Sequence, residues 1–185
     1  MNIIYNYGYE LNKKYNLSNI RKILNISNNI WFLNLLNSDN IEQYVKFNIN
    51  YLLNDYNLDH LINNNYDIII RDNKSNDNYE LKWHLDDQKL IIHKIDNLNN
   101  LHNLNIIHMN DKYIYALYST KILSYTIIIY LDSYKIDFIG GKIHFIDQNI
   151  EQYKGMLLYF DSRDIHRVSK FIRGYIRCIV IKFYF

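Results

Sequence analysis

The sequence predicts a mainly β (α+β) fold with helices toward the amino terminus, and three observations predict it. From Tyr66 to Phe185, short runs rich in Ile, Tyr, Phe and Val alternate with polar turns, the composition of pleated, half-buried strands. Between Ser38 and Asn64 the apolar residues recur instead at helical spacing. Hydrophobic residues make up 49% of the 185 and charged residues 22%, which supplies a core and argues against wholesale disorder. Many short strands separated by turns point to a sandwich, a barrel or a jelly roll.

In chain order, a helix is expected over residues 39–54. Ser38 and Asp39 are residue types that cap amino termini, and Ile41, Tyr44, Val45, Phe47 and Leu52 fall near one face. A shorter helix is expected over 56–64, against the poor helix propensity of its asparagines. Strands are expected at Asp67–Arg71, Tyr79–Asp86, Lys89–Lys94, Tyr113–Tyr118, Tyr125–Leu131, Lys142–Ile146, Met156–Phe160 and Tyr175–Phe185. Residues 95–112, rich in Asn and His, read as an inserted loop. Residues 1–65 are expected to form an amino-terminal helical segment packed on the strand-rich part, 66–185, within one structural domain overall.

Composition excludes several function classes. A net charge of +2 is too weak for nucleic acid or an anionic membrane. The single cysteine, Cys178, leaves no intramolecular disulfide and no cysteine-based zinc cluster. The first residues, MNIIYNYGYELNKKY, lack the apolar core of a secretory signal. Residues 113–131 carry one charge, Lys121, yet their Tyr, Ser and Thr content suits two strands meeting near 121–124 better than a span, which needs ~20 mostly apolar residues. A cytoplasmic protein with no membrane partner is expected. The absence of proline and the abundance of Asn, Ile, Tyr and Lys reflect AT-rich codons, as in protists and large DNA viruses, including a virus-encoded protein acting in a host cell.

Three elements bear on chemistry. His84-Leu85-Asp86 lies in a strand-like run, and residues two apart on a strand share a face, so both side chains can reach one point. His166 follows an apolar strand and a polar turn. Two histidines and one carboxylate with open coordination positions make the facial triad of non-haem Fe(II) oxygenases. Arg177 heads the terminal apolar strand, where a guanidinium needs a partner that a bound dicarboxylate would supply. Each element alone also fits an ordinary surface strand or a structural histidine. His93, His102 and His108 sit at no metal-ligand spacing, His144 has no further support, and Cys178 reads as a packed small residue.

Together these elements lie in ordered blocks that resemble the Fe(II)- and 2-oxoglutarate-dependent dioxygenases, in particular the prolyl hydroxylase-like branch. Tyr79–Asp86 is similar to the first metal strand, ending in His-x-Asp. Residues 126–132, TIIIYLD, resemble the apolar strand ending in Tyr-Leu-Asn/Asp. Phe138–Phe145 is similar to the Gly-Gly-x-Leu-x-Phe turn, Lys154–Val168 to the block ending in His-x-Val, and Gly174–Phe185 to the closing Gly-x-Arg strand.

The resemblance covers roughly residues 66–185 and implies a double-stranded β-helix, a jelly roll with the metal inside. It implies His84, Asp86 and His166 as the ligands of Fe(II). It implies Arg177 as the partner of the distal carboxylate of 2-oxoglutarate, with Tyr130 beside it. The implied reaction consumes 2-oxoglutarate and O2, releases succinate and CO2, and hydroxylates a substrate C–H bond, first of all in a protein or peptide residue such as proline; ascorbate would be an accessory reductant. An intact Asp86 argues against halogenase chemistry. One departure concerns spacing. The family places its basic residue nine or ten positions after the distal histidine, whereas Arg177 is eleven after His166; a longer turn over residues 169–173 would absorb the difference, with Arg173 as the other candidate. Competing readings are a catalytically silent jelly-roll binding or structural protein and an oxygenase acting on a nucleobase or small molecule.

Overall fold

The computed structural model describes residues 21–74, 80–84, 86, 89–94, 105–109, 113–118, 123–162, 164 and 166–184. Strand β1 (Lys22–Asn25) comes first, then helices α1 (Ile30–Leu36) and α2 (Ile41–Asp55) and a 3-10 turn at Asp59–Leu61. The strands that follow are β2 (Asn65–Lys74), β3 (Leu81–His84), β4 (Lys89–Lys94), β5 (Asn105–Met109), β6 (Tyr113–Tyr118), β7 (Leu123–Tyr130) and β8 (Phe138–Gly140). The chain continues through β9 (Ile143–Phe145), β10 (Asn149–Ile150), β11 (Met156–Asp161), β12 (His166–Val168) and β13 (Phe171–Tyr184).

Nine of these strands lie on the paths of two antiparallel sheets, and β8 joins the larger one off its path by pairing with β13. The larger runs in the order β1-β11-β7-β13-β2 and the smaller β10-β9-β12-β3. Along the chain, β2 joins the larger sheet, β3 the smaller, β7 the larger, β9 and β10 the smaller, then β11, β12 and β13 alternate. That winding is the double-stranded β-helix, or jelly roll, with β1 added at the outer edge. A separate three-stranded sheet, β4-β6-β5, is inserted between β3 and β7.

The period-two alternation of the larger sheet separates two cores. Ile127, Ile129, Leu157, Tyr159, Ile179, Ile181 and Phe183 face the helices and pack on Trp31, Phe32, Val45, Ile49, Leu52 and Leu53. Their neighbours Ile128, Tyr130, Leu158, Phe160, Cys178 and Val180 face the smaller sheet and meet Ile143, Phe145 and Ile150. The central strands are therefore buried on both faces, which is why they read as unbroken apolar runs.

Several expectations need correction. Asn29 and Asn40 cap the helices, their side chains accepting from Trp31 N at 2.8 Å and Gln43 N at 3.0 Å, so α2 begins at Ile41, after Ser38 and Asp39. Phe47 lies 77% exposed; two residues from Val45 is about 200° around a helix, on the opposite face. Only a 3-10 turn forms within 56–64. In the segment read as a loop, Asn105–Met109 is a strand paired with β6; residues 95–104 and 110–112 lie outside the described residues, as do 1–20.

Candidate functional site

The smaller sheet brings the two histidines together by strand pairing. β12 lies between β9 and β3, and His166 pairs with His84 across the β12–β3 ladder, with ring centroids 4.4 Å apart. Just past β3 the backbone turns, and the Asp86 N–H donates to Ser162 O at 3.3 Å. One ligand atom from each of His84, Asp86 and His166 lies within 4.8 Å of the others. His166 Nε2 is 3.8 Å from Asp86 Oδ1.

Neighbouring groups orient these side chains. His166 Nδ1 donates to the Asp164 carbonyl at 2.9 Å, which assigns the proton to Nδ1 and leaves the Nε2 lone pair for a ligand. Phe160 and Phe145 flank the ring at centroid distances of 5.0 and 5.6 Å. Burial pushes its pKa down to about 4, against the Asp86 charge that favours the cation, so the imidazole is neutral at pH 7. For Asp86, burial works to raise the pKa, but His166, Lys182 and Thr126 outweigh it and hold the carboxyl at about 2. Thr126 Oγ1 donates to Asp86 Oδ2 at 2.7 Å and Lys182 Nζ to Oδ1 at 3.0 Å.

This donor set fits a divalent transition metal. It offers two imidazoles, that of His166 neutral, and one ionised carboxylate. Ligands held ~2.1 Å from one ion at right angles lie ~3 Å apart, so the Asp86–His166 pair needs less than 1 Å of approach. Protein donors on one side of such an ion leave coordination positions open. What departs from a bare ligand set is Lys182, whose ammonium shares Oδ1.

The three donors open into a cavity of about 260 Å³ between the sheets. Its walls are largely apolar, from Ile128, Ile143, Val168, Phe171, Ile176 and Val180, with Tyr130, Arg71 and Asn73 among the polar groups. Tyr130 is buried on the cavity side of β7.

Arg177 does not. On β13 the cavity receives Ile176, Cys178, Val180 and Lys182, and alternation turns Arg177 to the other face. There its Nε and Nη2 donate to Asp132 Oδ2 and Oδ1 at 3.1 and 2.8 Å, while its backbone N–H also donates to Oδ2 at 2.7 Å. The one-residue excess in spacing is the physical reason: position ten after His166, Ile176, faces the cavity, and position eleven faces away. Arg173 is exposed and also lies off the cavity wall. Burial pushes the Cys178 thiol, which does line the cavity, up to about 12, consistent with a packed residue and no nucleophile.

Sequence reasoning missed Arg71, Lys182 and a buried ion pair. Arg21 Nη2 lies 2.7 Å from Asp164 Oδ2 with side chains 4% and 0% exposed. The guanidinium lies 3.8 Å over the Phe145 ring and also donates to Asp147 at 2.9 Å. It thus ties the start of β1 to the turn before His166 and to the turn between β9 and β10. Arg71 left one signal: two positions after Ile69, it shares that residue's face. Nothing marked Arg21, which meets Asp164 across 143 positions of sequence.

No protein-family model and no curated protein matches the chain. Among solved structures, the chain is similar to the viral collagen prolyl hydroxylase of Paramecium bursaria Chlorella virus-1 in truncated form: 12% identity, 89% of this chain and 90% of that one covered, TM-score 0.48. It is also similar to a Pseudomonas putida prolyl-4-hydroxylase, at 14% identity, 78% and 63% coverage and a TM-score of 0.42. The same viral enzyme in complex with 2-oxoglutarate is similar at 14% identity, 77% and 70% coverage and a TM-score of 0.42.

Proposed function

We propose that the protein is an Fe(II)- and 2-oxoglutarate-dependent oxygenase that hydroxylates a C–H bond of a peptidyl substrate, with proline as the first candidate residue. The observation that supports this is the convergence of His84, Asp86 and His166 on one point at a largely apolar cavity, with a neutral imidazole and an ionised carboxylate ready as ligands. Bound iron would supply the oxidising chemistry, with 2-oxoglutarate and O2 as co-reactants and succinate and CO2 as products. The chain's own residues do the rest. His84, Asp86 and His166 hold the ion, the Asp164 carbonyl and the two phenylalanines hold His166, and Thr126 and Lys182 hold Asp86. The apolar walls exclude water. The peptidyl substrate follows from the resemblance to the prolyl hydroxylase-like branch.

One observation favours a second reading, a jelly-roll binding module without metal. The Lys182 ammonium lies against the Asp86 oxygen nearest His166 and could serve as that carboxylate's permanent counter-ion. A single series separates the two. The purified protein is titrated with Fe(II) without air, then supplied with 2-oxoglutarate and O2 while succinate is measured. Iron-dependent succinate formation that disappears in His166→Ala and Asp86→Ala supports the oxygenase. Failure to bind metal, or full turnover in Asp86→Ala, removes it.

A further inference from the structure

We infer that the distal carboxylate of the oxoacid is held by Arg71 of β2, one strand away from the strand on which the sequence pattern places the anchor, with Tyr130 as its companion. This rests on the oxygenase reading.

The observation behind it is a row of residues across the larger sheet. Tyr130 of β7 pairs with Cys178 of β13, and Cys178 pairs with Arg71 of β2. Residues directly opposite on antiparallel strands point to the same face, and all three line the cavity. The guanidinium and the phenol thus flank a small thiol that leaves room between them. On the same face of β13, the row two residues away toward the metal donors is Val180, and the next is Lys182, which touches Asp86. Four residues at about 3.3 Å each put ~13 Å between the Cys178 and Lys182 rows. Arg71 reaching inward from the far row shortens that separation, so a short dicarboxylate fits between a metal at the near end and the guanidinium.

Register explains why the anchor would move. Position ten after His166 faces the cavity but is Ile176, which carries no charge, while Arg177 faces away and is held by Asp132. Asn73 lies opposite Ile176, and Arg71 opposite Cys178. Arg71 is therefore the diagonal neighbour of Ile176, ~7–8 Å away between backbones, a gap that a long side chain spans. Among the described cavity-lining residues the guanidinium and ammonium groups are those of Arg71 and Lys182. Lys182 stands on the metal carboxylate, and Arg71 stands in the row four residues along β13 from it, at the distal end. A planar guanidinium also suits a carboxylate through two parallel hydrogen bonds.

The test is binding, with no turnover needed. Protein loaded with Zn(II) in place of iron is titrated calorimetrically with 2-oxoglutarate and with pyruvate, a 2-oxoacid without the distal carboxylate. For Arg71→Gln the expected result is at least a 30-fold weaker 2-oxoglutarate affinity, falling to the pyruvate level, with pyruvate and Zn(II) affinities unchanged; Arg71→Lys should recover part of the loss. Arg177→Gln should leave 2-oxoglutarate affinity within twofold. A loss in Arg177→Gln with none in Arg71→Gln overturns the assignment and leaves the oxygenase reading standing. If the unmodified Zn(II)-loaded protein binds pyruvate and 2-oxoglutarate equally, the assignment is again wrong. If it binds neither, the oxygenase reading falls and this one with it. Melting temperatures of the variants, measured alongside, exclude unfolding as the cause of lost binding.

Discussion

Replacing Arg21 by Met should lower stability by about 3 kcal/mol at pH 8 and by much less at pH 5. Removing one partner of a buried ion pair costs ~3–5 kcal/mol, because the remaining charge is left uncompensated. The structure gives little reason to discount this for solvent, since the Arg21 and Asp164 side chains are 4% and 0% exposed. Protonation sets the lower figure and the pH dependence. Burial raises the Asp164 pKa to about 6 even with Arg21 beside it. Without the guanidinium it rises further, and the carboxyl escapes part of the penalty by taking up a proton. At pH 5 Asp164 is largely protonated with or without Arg21, so the difference between the proteins is small. As pH rises past 6, only the Arg21 protein stabilises the anion, and the difference grows. At 3 kcal/mol the melting temperature should fall by roughly 6–12 °C for a chain of this size. The assay is thermal and urea denaturation of both proteins at pH 5, 6.5 and 8. A cost below 1 kcal/mol at pH 8, or an equal cost at pH 5 and 8, would refute the account of Arg21 as the buried counter-ion of Asp164.

Three further outcomes are expected. The His166 pKa is depressed to about 4, so metal-free protein should lose ~3 kcal/mol from this group as pH falls from about 6.5 to about 4. Urea unfolding of His166→Gln against the unmodified protein should therefore show a gap that narrows over that window. Gly174 has φ +97°, and a Cβ there would stand 2.1 Å from Asp137 O; Gly174→Ala should cost at least ~2 kcal/mol in urea unfolding, and a neutral substitution would mean the β8–β13 bend is more adaptable than drawn. Phe160 is fully buried against His166 and Phe145; Phe160→Ala should cost ~3–5 kcal/mol and weaken Zn(II) binding in calorimetry, because the imidazole loses the wall that fixes its plane.

Much of the fold was written in local pattern. The apolar runs of β7, β11 and β13 announced strands because β-branched and aromatic residues fill both faces of a central strand, and the polar turns between them narrowed the fold to a sandwich, a barrel or a jelly roll, of which the resemblance implied the last. His84 and Asp86 could be read as a pair on sequence alone, although β3 ends at His84 and it is the bend beyond it that carries Asp86 to the site. Residues 105–109 escaped because asparagine-rich flanks hide a short strand whose partner, β6, supplies the missing hydrogen bonds.

By itself, the sequence determined which segments are extended in most of the barrel, which residue types can bind metal, and that Tyr130 belongs to an apolar strand. Tertiary structure decided which face of β13 looks into the cavity. That strand is apolar on both sides, so its alternation carries no information, and a one-residue difference in spacing sends Arg177 to Asp132 and leaves Ile176 at the wall. It also decided that Arg71, 107 positions before Cys178 in the chain, stands in the row of Cys178 and Tyr130, and that Arg21 reaches Asp164 behind His166. Contacts of this kind depend on the register of strands far apart in the chain, and register is settled only when the buried faces of all the strands are satisfied at once.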